Sequence, residues 1–328
     1  MQLNDIHEKE FVEKVHALLD EDMKRLVAMK DDFVFSSCPG CLSHEATPAY
    51  ELSGLQAHRC AKCSLVYINP RPTVQVMHAF FEQSEGFITW FNQMPEKLRA
   101  KRAEMIYRKR FDTITGLREQ YGIAGDVVLE VGGGDGSLST MLADSALFEK
   151  IFVLEPLPLE IPSPSVEVVR ATVEEAALPG NAGSLAIAFE VLEHLLEPRV
   201  FFDKMHSFLK PGGCLYLTTP NYDGFEIGVL KTQSTSIGYD HLNIFNPRSL
   251  QAILDAFGFD AVALTTPGRL DLQMIRARYV EGALDLDDNP ALRYIVTDGW
   301  EANAGPFQDW LVARNGSSHM ACLARKRG

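Results

Sequence analysis

The sequence lacks the features that would place it in a membrane or on a nucleic acid. No stretch approaches the roughly 18 consecutive apolar residues of a membrane-spanning helix. The first residues, Met1–Asp5, are polar and acidic, unlike a secretory signal. Positive charge is also scarce, since 31 Lys and Arg stand against 44 Asp and Glu, a formal net charge of −13. We therefore expect a cytoplasmic protein without membrane insertion, and nucleic acid is a disfavoured partner because its binding requires clustered positive charge.

One short segment departs from this acidic balance. Between Lys97 and Arg110, seven residues are basic and only Glu104 is acidic. A run of this kind on a helix is usually a solvated face. The alternative is a patch that faces a phosphorylated or acidic substrate. The sequence leaves both interpretations open.

A dinucleotide fingerprint of the form G-x-G-x-x-G is also missing, although a glycine-rich turn is present. The apolar and β-branched residues of Val128–Val131 suit a buried parallel strand. The glycines that follow, at positions 132, 133, 134 and 136, suit a turn in which a ligand approaches the backbone. Predicted strands and helices then alternate to the end of the chain, which indicates a doubly wound α/β sheet.

Four motifs between Glu130 and Gly213 resemble those of class I S-adenosylmethionine (SAM) methyltransferases. They are Glu130–Ser137 (EVGGGDGS), the acid Glu155 after the second strand, Glu190–His194 (EVLEH) and Leu209–Gly213 (LKPGG). The resemblance implies a Rossmann-like, seven-stranded α/β sheet that binds SAM and releases S-adenosylhomocysteine. The acid Glu155 would hold the ribose hydroxyls, because a carboxylate suits two hydroxyl donors.

The resemblance also implies a set of cofactor-binding residues. These are Glu130, Gly132, Gly133, Gly134, Asp135, Gly136, Glu155, Pro156, Thr172, Val173, Glu190 and Val191. One position departs from the family pattern. Where the family often carries an acid after the third strand to bind the adenine amine, this chain has Thr172 and Val173.

Two CxxC pairs, Cys38/Cys41 and Cys60/Cys63, flank an 18-residue spacer near the N-terminus. The spacing is typical of a zinc ribbon, in which four thiolates form a closed structural Zn²⁺ site. The alternatives are a metal-free hairpin and a redox CxxC pair. The predicted domains are a helix and zinc ribbon over 1–72, a helical linker or lid over 73–125, and the SAM-binding domain over 126–328.

The whole chain is similar to a narrower group, bacterial methyltransferases that have an N-terminal zinc ribbon and often act on sugars or cell-surface glycans. The similarity rests on Cys60–Pro72 and on His241–Phe245 (HLNIF). Sugar C-methyltransferases carry a related E-H-L-x-Y-F stretch in which His and a nearby Tyr serve catalysis. Here Asp240 replaces the Glu and Tyr239 is offset, so O- or N-methylation is favoured over C-methylation.

The predicted function is SAM-dependent methyl transfer to a small hydroxyl or amino acceptor, such as a sugar, a nucleotide sugar or a glycan unit. His241 is the candidate general base, because the pKa of histidine lies near neutrality. Asp240, Tyr239 and His194 are further catalytic candidates, and a structural role for either histidine stays open. The alternatives are an RNA methyltransferase with a zinc module and a non-catalytic SAM-binding partner module. Oligomerisation is possible.

Overall fold

The structure, a computed structural model, describes residues 9–238 and 240–328. The α-helices are α1 (Lys9–Ala28), α2 (Val74–Gln83), α3 (Glu85–Asn92), α4 (Glu96–Arg102), α5 (Arg108–Tyr121), α6 (Ser137–Ser145), α7 (Pro198–Phe208), α8 (Phe225–Leu230), α9 (Pro247–Ala256), α10 (Asp271–Val280), α11 (Pro290–Val296) and α12 (Trp300–Ala313). The strands are β1 (Ala46–Leu52), β2 (Leu55–Cys60), β3 (Val66–Ile68), β4 (Val127–Val131), β5 (Lys150–Leu154), β6 (Val166–Val169), β7 (Gly183–Phe189), β8 (Leu209–Pro220), β9 (Asn243–Ile244), β10 (Phe259–Thr265) and β11 (His319–Lys326). Within the described residues, no helix is both long and apolar enough to cross a membrane.

A seven-stranded sheet organises the chain from Val127 onward, in the order β10-β11-β8-β7-β4-β5-β6. Neighbouring strands from β8 to β6 run parallel, whereas β11 is antiparallel to both β8 and β10. The prediction of a Rossmann-like α/β sheet is confirmed. In such a sheet ligands bind beyond the carboxyl ends of the parallel strands, where the strand order reverses. Here the order reverses at β4, the strand that precedes the glycine turn.

Strand β4 is buried on both faces, which explains why all of its residues except Glu130 are apolar. Leu129 belongs to a core cluster that contains Phe201 of α7. Val128 points into a second cluster, with Ile114 of α5 and Leu142 of α6. Successive side chains of a strand point to opposite faces, so a strand covered by helices on both sides is mostly apolar. The buried Glu130 is tolerated because the Ser139 hydroxyl donates a hydrogen bond to its carboxylate.

The segment over 73–125, predicted to be helical, consists of α2 to α5. The Thr73 hydroxyl accepts a hydrogen bond from the backbone N–H of Val76, so Thr73 is the N-cap of α2. A π-helical segment over Ala103–Tyr107 separates α4 from α5. Gly122 ends α5 in a left-handed conformation, with φ of 63°.

A second, four-stranded sheet has the order β1-β2-β3-β9. Its first three strands come from the residues between and just after the two CxxC pairs. The fourth, β9, comes from the segment over 220–246, between β8 and α9. That segment also contains α8 and a 3₁₀ turn over Lys231–Gln233. A two-residue strand has no periodicity to detect in sequence, so β9 is visible only through its antiparallel pairing with β3. The domain boundaries given above stay predictions.

Candidate active site

The glycine turn after β4 has three glycines in the left-handed region, with φ of 77° at Gly132, 56° at Gly134 and 76° at Gly136. A Cβ added to Gly132 would lie 2.6 Å from a methyl carbon of Val191. A Cβ on Gly134 would meet no heavy atom within 4 Å. Gly132 is therefore needed for close packing against the exit of β7. Gly134 is needed because other residues rarely adopt its left-handed backbone conformation, and the space beside it is open.

Glu155 lies directly against this turn. The backbone N–H of Gly134 donates to Glu155 Oε2 at 2.8 Å, and the N–H of Leu157 donates to Oε1 at 3.0 Å. Burial raises the pKa of Glu155 above its usual value, although the two N–H groups favour the ionised form. Glu155, the acid predicted after the second strand of the large sheet (β5), therefore contacts the glycine turn at Gly134, 21 residues earlier in the sequence.

Glu130 is beneath the turn and tethers it to the helix that follows. Its carboxylate accepts a hydrogen bond from the Ser139 hydroxyl of α6, and only 4% of the residue is exposed. Burial raises the pKa of Glu130 to about 7. Asp135 acts locally in the same turn by accepting a hydrogen bond from Ser137 N at 3.1 Å.

The remaining predicted cofactor residues lie at the exits of neighbouring strands. Pro156 follows β5 and is exposed. Thr172 and Val173 follow β6. The Thr172 hydroxyl donates to Glu175 Oε2 at 3.2 Å, and Val173 is buried in the core. Their contact with an adenine ring stays a prediction.

Glu190 follows β7 with an unusual φ of 57°. It accepts hydrogen bonds from the Thr218 hydroxyl and, at 2.8 Å, from His319 Nε2. Burial opposes the ionisation of Glu190, but the charge and hydrogen bond of His319 outweigh it and lower the pKa of Glu190 to about 2. Glu190 in turn raises the pKa of His319 above its usual value against the effect of burial.

The sequence did not indicate His319 or Thr218 as members of this site. It indicated Arg110 only as part of the basic segment between Lys97 and Arg110. The Arg110 guanidinium lies 4.7 Å from the ring centroid of Phe189, at the end of β7, and its charge acts on Glu190. The basic segment therefore reaches the site with at least one side chain.

A second polar group surrounds the exit of β7 and includes the predicted catalytic residues. His194 Nδ1 lies 3.0 Å from the carbonyl oxygen of Asp240, and His241 Nδ1 lies 2.9 Å from that of Ser236. The two imidazole centroids are 4.8 Å apart. His194, Asp240 and His241 are thus brought together, while Tyr239 lies outside the described residues.

Glu193 completes this group. In the sequence it is indicated only as part of the motif Glu190–His194. One ligand atom from each of Glu193, His194 and His241 lies within 4.8 Å of the other two. Glu193 is 1% exposed and accepts a hydrogen bond from the Thr219 hydroxyl at 2.9 Å. Burial, together with the charge of Glu190, raises the pKa of Glu193 to about 8.

The four ribbon cysteines converge on one point. Cys38 Sγ is 3.5 Å from Cys63 Sγ, and Cys41 Sγ is 3.5 Å from Cys60 Sγ. All four sulfur atoms lie within 4.8 Å of one another. Tetrahedral bonds of about 2.3 Å from a central ion separate thiolates by roughly 3.8 Å. The arrangement matches a closed four-thiolate site.

Comparison with known proteins agrees with this geometry. A family model described as a methyltransferase domain matches residues 90–264. The chain belongs to this family. The chain is 27% identical over 163 residues to a Mycolicibacterium smegmatis protein named "Probable S-adenosylmethionine-dependent methyltransferase", covering 48% of this chain and 61% of that one. It is 29% identical over 117 residues to a ubiquinone biosynthesis O-methyltransferase of Pseudomonas paraeruginosa, covering 33% of this chain and 50% of that one.

These alignments span 50% to 61% of the relatives' own lengths. Among solved structures, the 1,6-didemethyltoxoflavin-N1-methyltransferase of Burkholderia thailandensis, solved with 1,6-didemethyltoxoflavin and S-adenosylhomocysteine, aligns with a TM-score of 0.48. It is 14% identical, over 86% of this chain and 100% of that one.

Proposed function

We propose that the protein transfers the methyl group of SAM to a hydroxyl, or an amino group, of a small acceptor. The observation that carries the proposal is the position of the Glu155 carboxylate, 2.8 Å from Gly134 N at a turn with open space beside it. A carboxylate that accepts backbone hydrogen bonds at the carboxyl end of β5 suits the two hydroxyl groups of a ribose. The open side of Gly134 leaves room for the rest of the cofactor.

SAM would bring the reactive chemistry, because its methyl group is already activated on a sulfonium. The chain's own residues must then hold the cofactor and orient the acceptor. Glu155 would bind the ribose, and Glu130 would fix the turn through Ser139. Glu190 and His319 would line the same edge of the sheet. Their hydrogen bond at 2.8 Å keeps both side chains in place.

His241 is the residue we propose to take the proton of the acceptor. Its Nδ1 lies 2.9 Å from the Ser236 carbonyl oxygen, which can only accept, so Nδ1 carries the hydrogen in this contact. Nε2 then bears the free electron pair that a general base needs. His194 packs edge-on against this ring, with its own Nδ1 held by the Asp240 carbonyl. Asp240 thereby positions the histidine pair.

For the acceptor we favour an oxygen atom of a sugar, nucleotide sugar or glycan unit. The glycan class rests on the similarity to the zinc-ribbon methyltransferases. An oxygen acceptor is supported by the relative named as an O-methyltransferase. The basic stretch lends little support to an RNA substrate. Arg102 stacks on Trp90 at 4.9 Å and Arg110 on Phe189 at 4.7 Å, so these two guanidinium groups pack against rings of the protein.

We further propose that Cys38, Cys41, Cys60 and Cys63 hold a structural Zn²⁺. Four converging thiolates leave no open coordination position, so the ion would contribute to folding and not to methyl transfer. The ribbon, over 1–72, would be one of three parts, with the helices of 73–125 and the SAM-binding domain of 126–328. We propose that the protein acts in the cytoplasm.

The experiment that tests the function has two stages. Calorimetry with S-adenosylhomocysteine measures cofactor binding, and a panel of nucleotide sugars, glycans and phenols is then incubated with methyl-labelled SAM. His241→Ala should retain cofactor affinity and slow transfer by about 100-fold. His16→Ala, at an exposed position of α1, is the matched control. Absence of cofactor binding contradicts the proposal, and unchanged turnover of His241→Ala removes His241 from the role of base.

A further inference from the structure

We propose that Glu193, His194 and His241 bind one divalent transition-metal ion, separate from the ion of the ribbon. One ligand atom from each residue lies within 4.8 Å of the other two. Bonds of about 2.0–2.2 Å from nitrogen and carboxylate oxygen place ligand atoms about 3–4.4 Å apart. Small side-chain rotations are enough to bring the three ligand atoms to these separations. Two histidines and one carboxylate form the ligand set typical of open transition-metal sites.

Both imidazoles have one ring nitrogen held by a backbone carbonyl. His194 Nδ1 is 3.0 Å from the Asp240 carbonyl, and His241 Nδ1 is 2.9 Å from the Ser236 carbonyl. A backbone carbonyl only accepts hydrogen bonds, so each Nδ1 is protonated in these contacts and each Nε2 carries a free electron pair. Ligating histidines in proteins almost always donate their second N–H to a carbonyl or carboxylate in this way. Asp240 Oδ2, at 3.5 Å from His194 Nδ1, adds negative charge behind the ligand.

Glu193 supplies a carboxyl oxygen as the third ligand. It is 1% exposed, and its Oε2 accepts a hydrogen bond from the Thr219 hydroxyl at 2.9 Å. The Thr219 hydroxyl, as the donor of this hydrogen bond, therefore fixes the orientation of the carboxylate. A buried carboxylate is costly unless it is paired with positive charge, and a divalent ion would provide that charge. The backbone also stabilises the placement, because Asn243 N donates to the Glu193 carbonyl at 3.1 Å.

The site is open on one side, unlike the four-thiolate site. The His194 side chain is 31% exposed, so solvent or an acceptor molecule can reach the ligands. Three protein ligands leave coordination positions for an acceptor hydroxyl, whose pKa falls on metal binding. This role rests on the proposed methyl transfer. The acceptor oxygen releases its proton to solvent and bonds to the methyl carbon, while the carbon–sulfur bond breaks with its electron pair left on sulfur. With the ion bound, His241 would act as a ligand in place of the general base described above, and the ion would lower the pKa of the hydroxyl.

Mn²⁺ is the probe of choice, because oxygen and nitrogen ligands suit it whereas four thiolates select Zn²⁺. The full chain, with zinc in the ribbon, is titrated with Mn²⁺ and followed by electron paramagnetic resonance. We expect about one tightly bound Mn²⁺ per chain. Affinity should fall by about tenfold or more in Glu193→Gln, His194→Ala and His241→Ala, and should be unchanged in His16→Ala. The zinc content of the ribbon should not change.

A spectroscopic measurement on the unaltered protein covers the case in which a variant does not fold. Electron spin echo modulation of bound Mn²⁺ should show directly coordinated imidazole nitrogen. The proposal is overturned if the spectrum lacks that nitrogen, if folded variants bind Mn²⁺ as the parent does, or if Mn²⁺ does not bind below about 1 mM. Binding of Mn²⁺ without any methyl transfer would leave this site standing and count against the proposed function alone.

Discussion

The Arg71 guanidinium donates a hydrogen bond to Asn243 Oδ1 at 3.1 Å and so joins the end of the ribbon to the segment that carries His241. The same guanidinium donates to the carbonyl oxygens of Leu196, at 2.6 Å, and Leu242, at 3.3 Å. Asn243 in turn donates through its side chain to Leu195 O at 2.7 Å. One buried arginine therefore links three separate parts of the chain around the candidate site.

Arg71→Met should lower the free energy of unfolding by about 2–4 kcal/mol, because it leaves buried carbonyl groups without a charged donor. Arg71 is only 3% exposed, so little solvent reaches these groups to compensate. Urea unfolding measures the change. The matched control is Arg269→Met, whose ion pair with Asp309 is exposed and should contribute less than about 1 kcal/mol. Equal stability of the two variants would show that the network around Arg71 does not hold the ribbon in place.

Gly134→Val should weaken the binding of S-adenosylhomocysteine by about tenfold or more, since a β-branched residue strongly disfavours the left-handed conformation. The φ of 56° at Gly134 lies in that region, and the side chain would enter the open space of the turn. Calorimetry provides the affinity. Gly116→Ala is the control, because Gly116 is helical and its added Cβ would meet nothing within 4 Å. Normal cofactor binding by Gly134→Val would place the cofactor elsewhere.

Cys60→Ser should lower the zinc content by about one ion per chain and destabilise the ribbon, because metal affinity and folding are coupled in such sites. Elemental mass spectrometry of the dialysed protein gives the content. Cys214→Ala serves as the control, since Cys214 is a buried residue of β8 outside the ribbon. An unchanged zinc content in Cys60→Ser, or an equal loss in both variants, would contradict the four-thiolate site.

The parts of the site that could be predicted from sequence are those encoded by neighbouring residues. The glycine turn, the strand before it and the acid after the next strand lie close together in the sequence. Glu155 and Gly134 could therefore both be assigned to the cofactor site from the sequence alone. The Glu190–His319 contact joins residues 129 apart, and no local pattern indicates it. For the same reason the sequence around His319 gives no sign that this residue belongs to the site.

The histidine pair shows the same limit. His194 and His241 were each identified from a motif, but neither motif predicts that the two rings are 4.8 Å apart. That proximity depends on Asn243, which binds the backbone of Glu193 and pairs with Tyr67 of the ribbon sheet. The ribbon, predicted as a separate unit, thus shares a strand with the segment that positions His241.

Glu226→Gln should remove part of the pH dependence of stability. Glu226 is fully buried, accepts a hydrogen bond from Ser234 through Oε2 and leaves Oε1 without a partner among the described residues. Burial raises its pKa from 4.5 to about 7. Between these values the unfolded chain ionises while the folded protein keeps the proton. The folded state therefore loses stability as pH rises through this window, by at most about 3 kcal/mol, and the loss is complete above the folded pKa.

Glutamine cannot ionise, so the advantage of Glu226→Gln over the parent should grow by up to that amount between about pH 5 and about pH 8. Urea unfolding at the two pH values measures this double difference, which cancels the titration of groups common to both proteins. Glu167→Gln is the control, because Glu167 is exposed and pairs with Lys150 at the surface. Parallel stability curves for Glu226→Gln and the parent would show that Glu226 ionises in the folded protein as readily as in the unfolded chain.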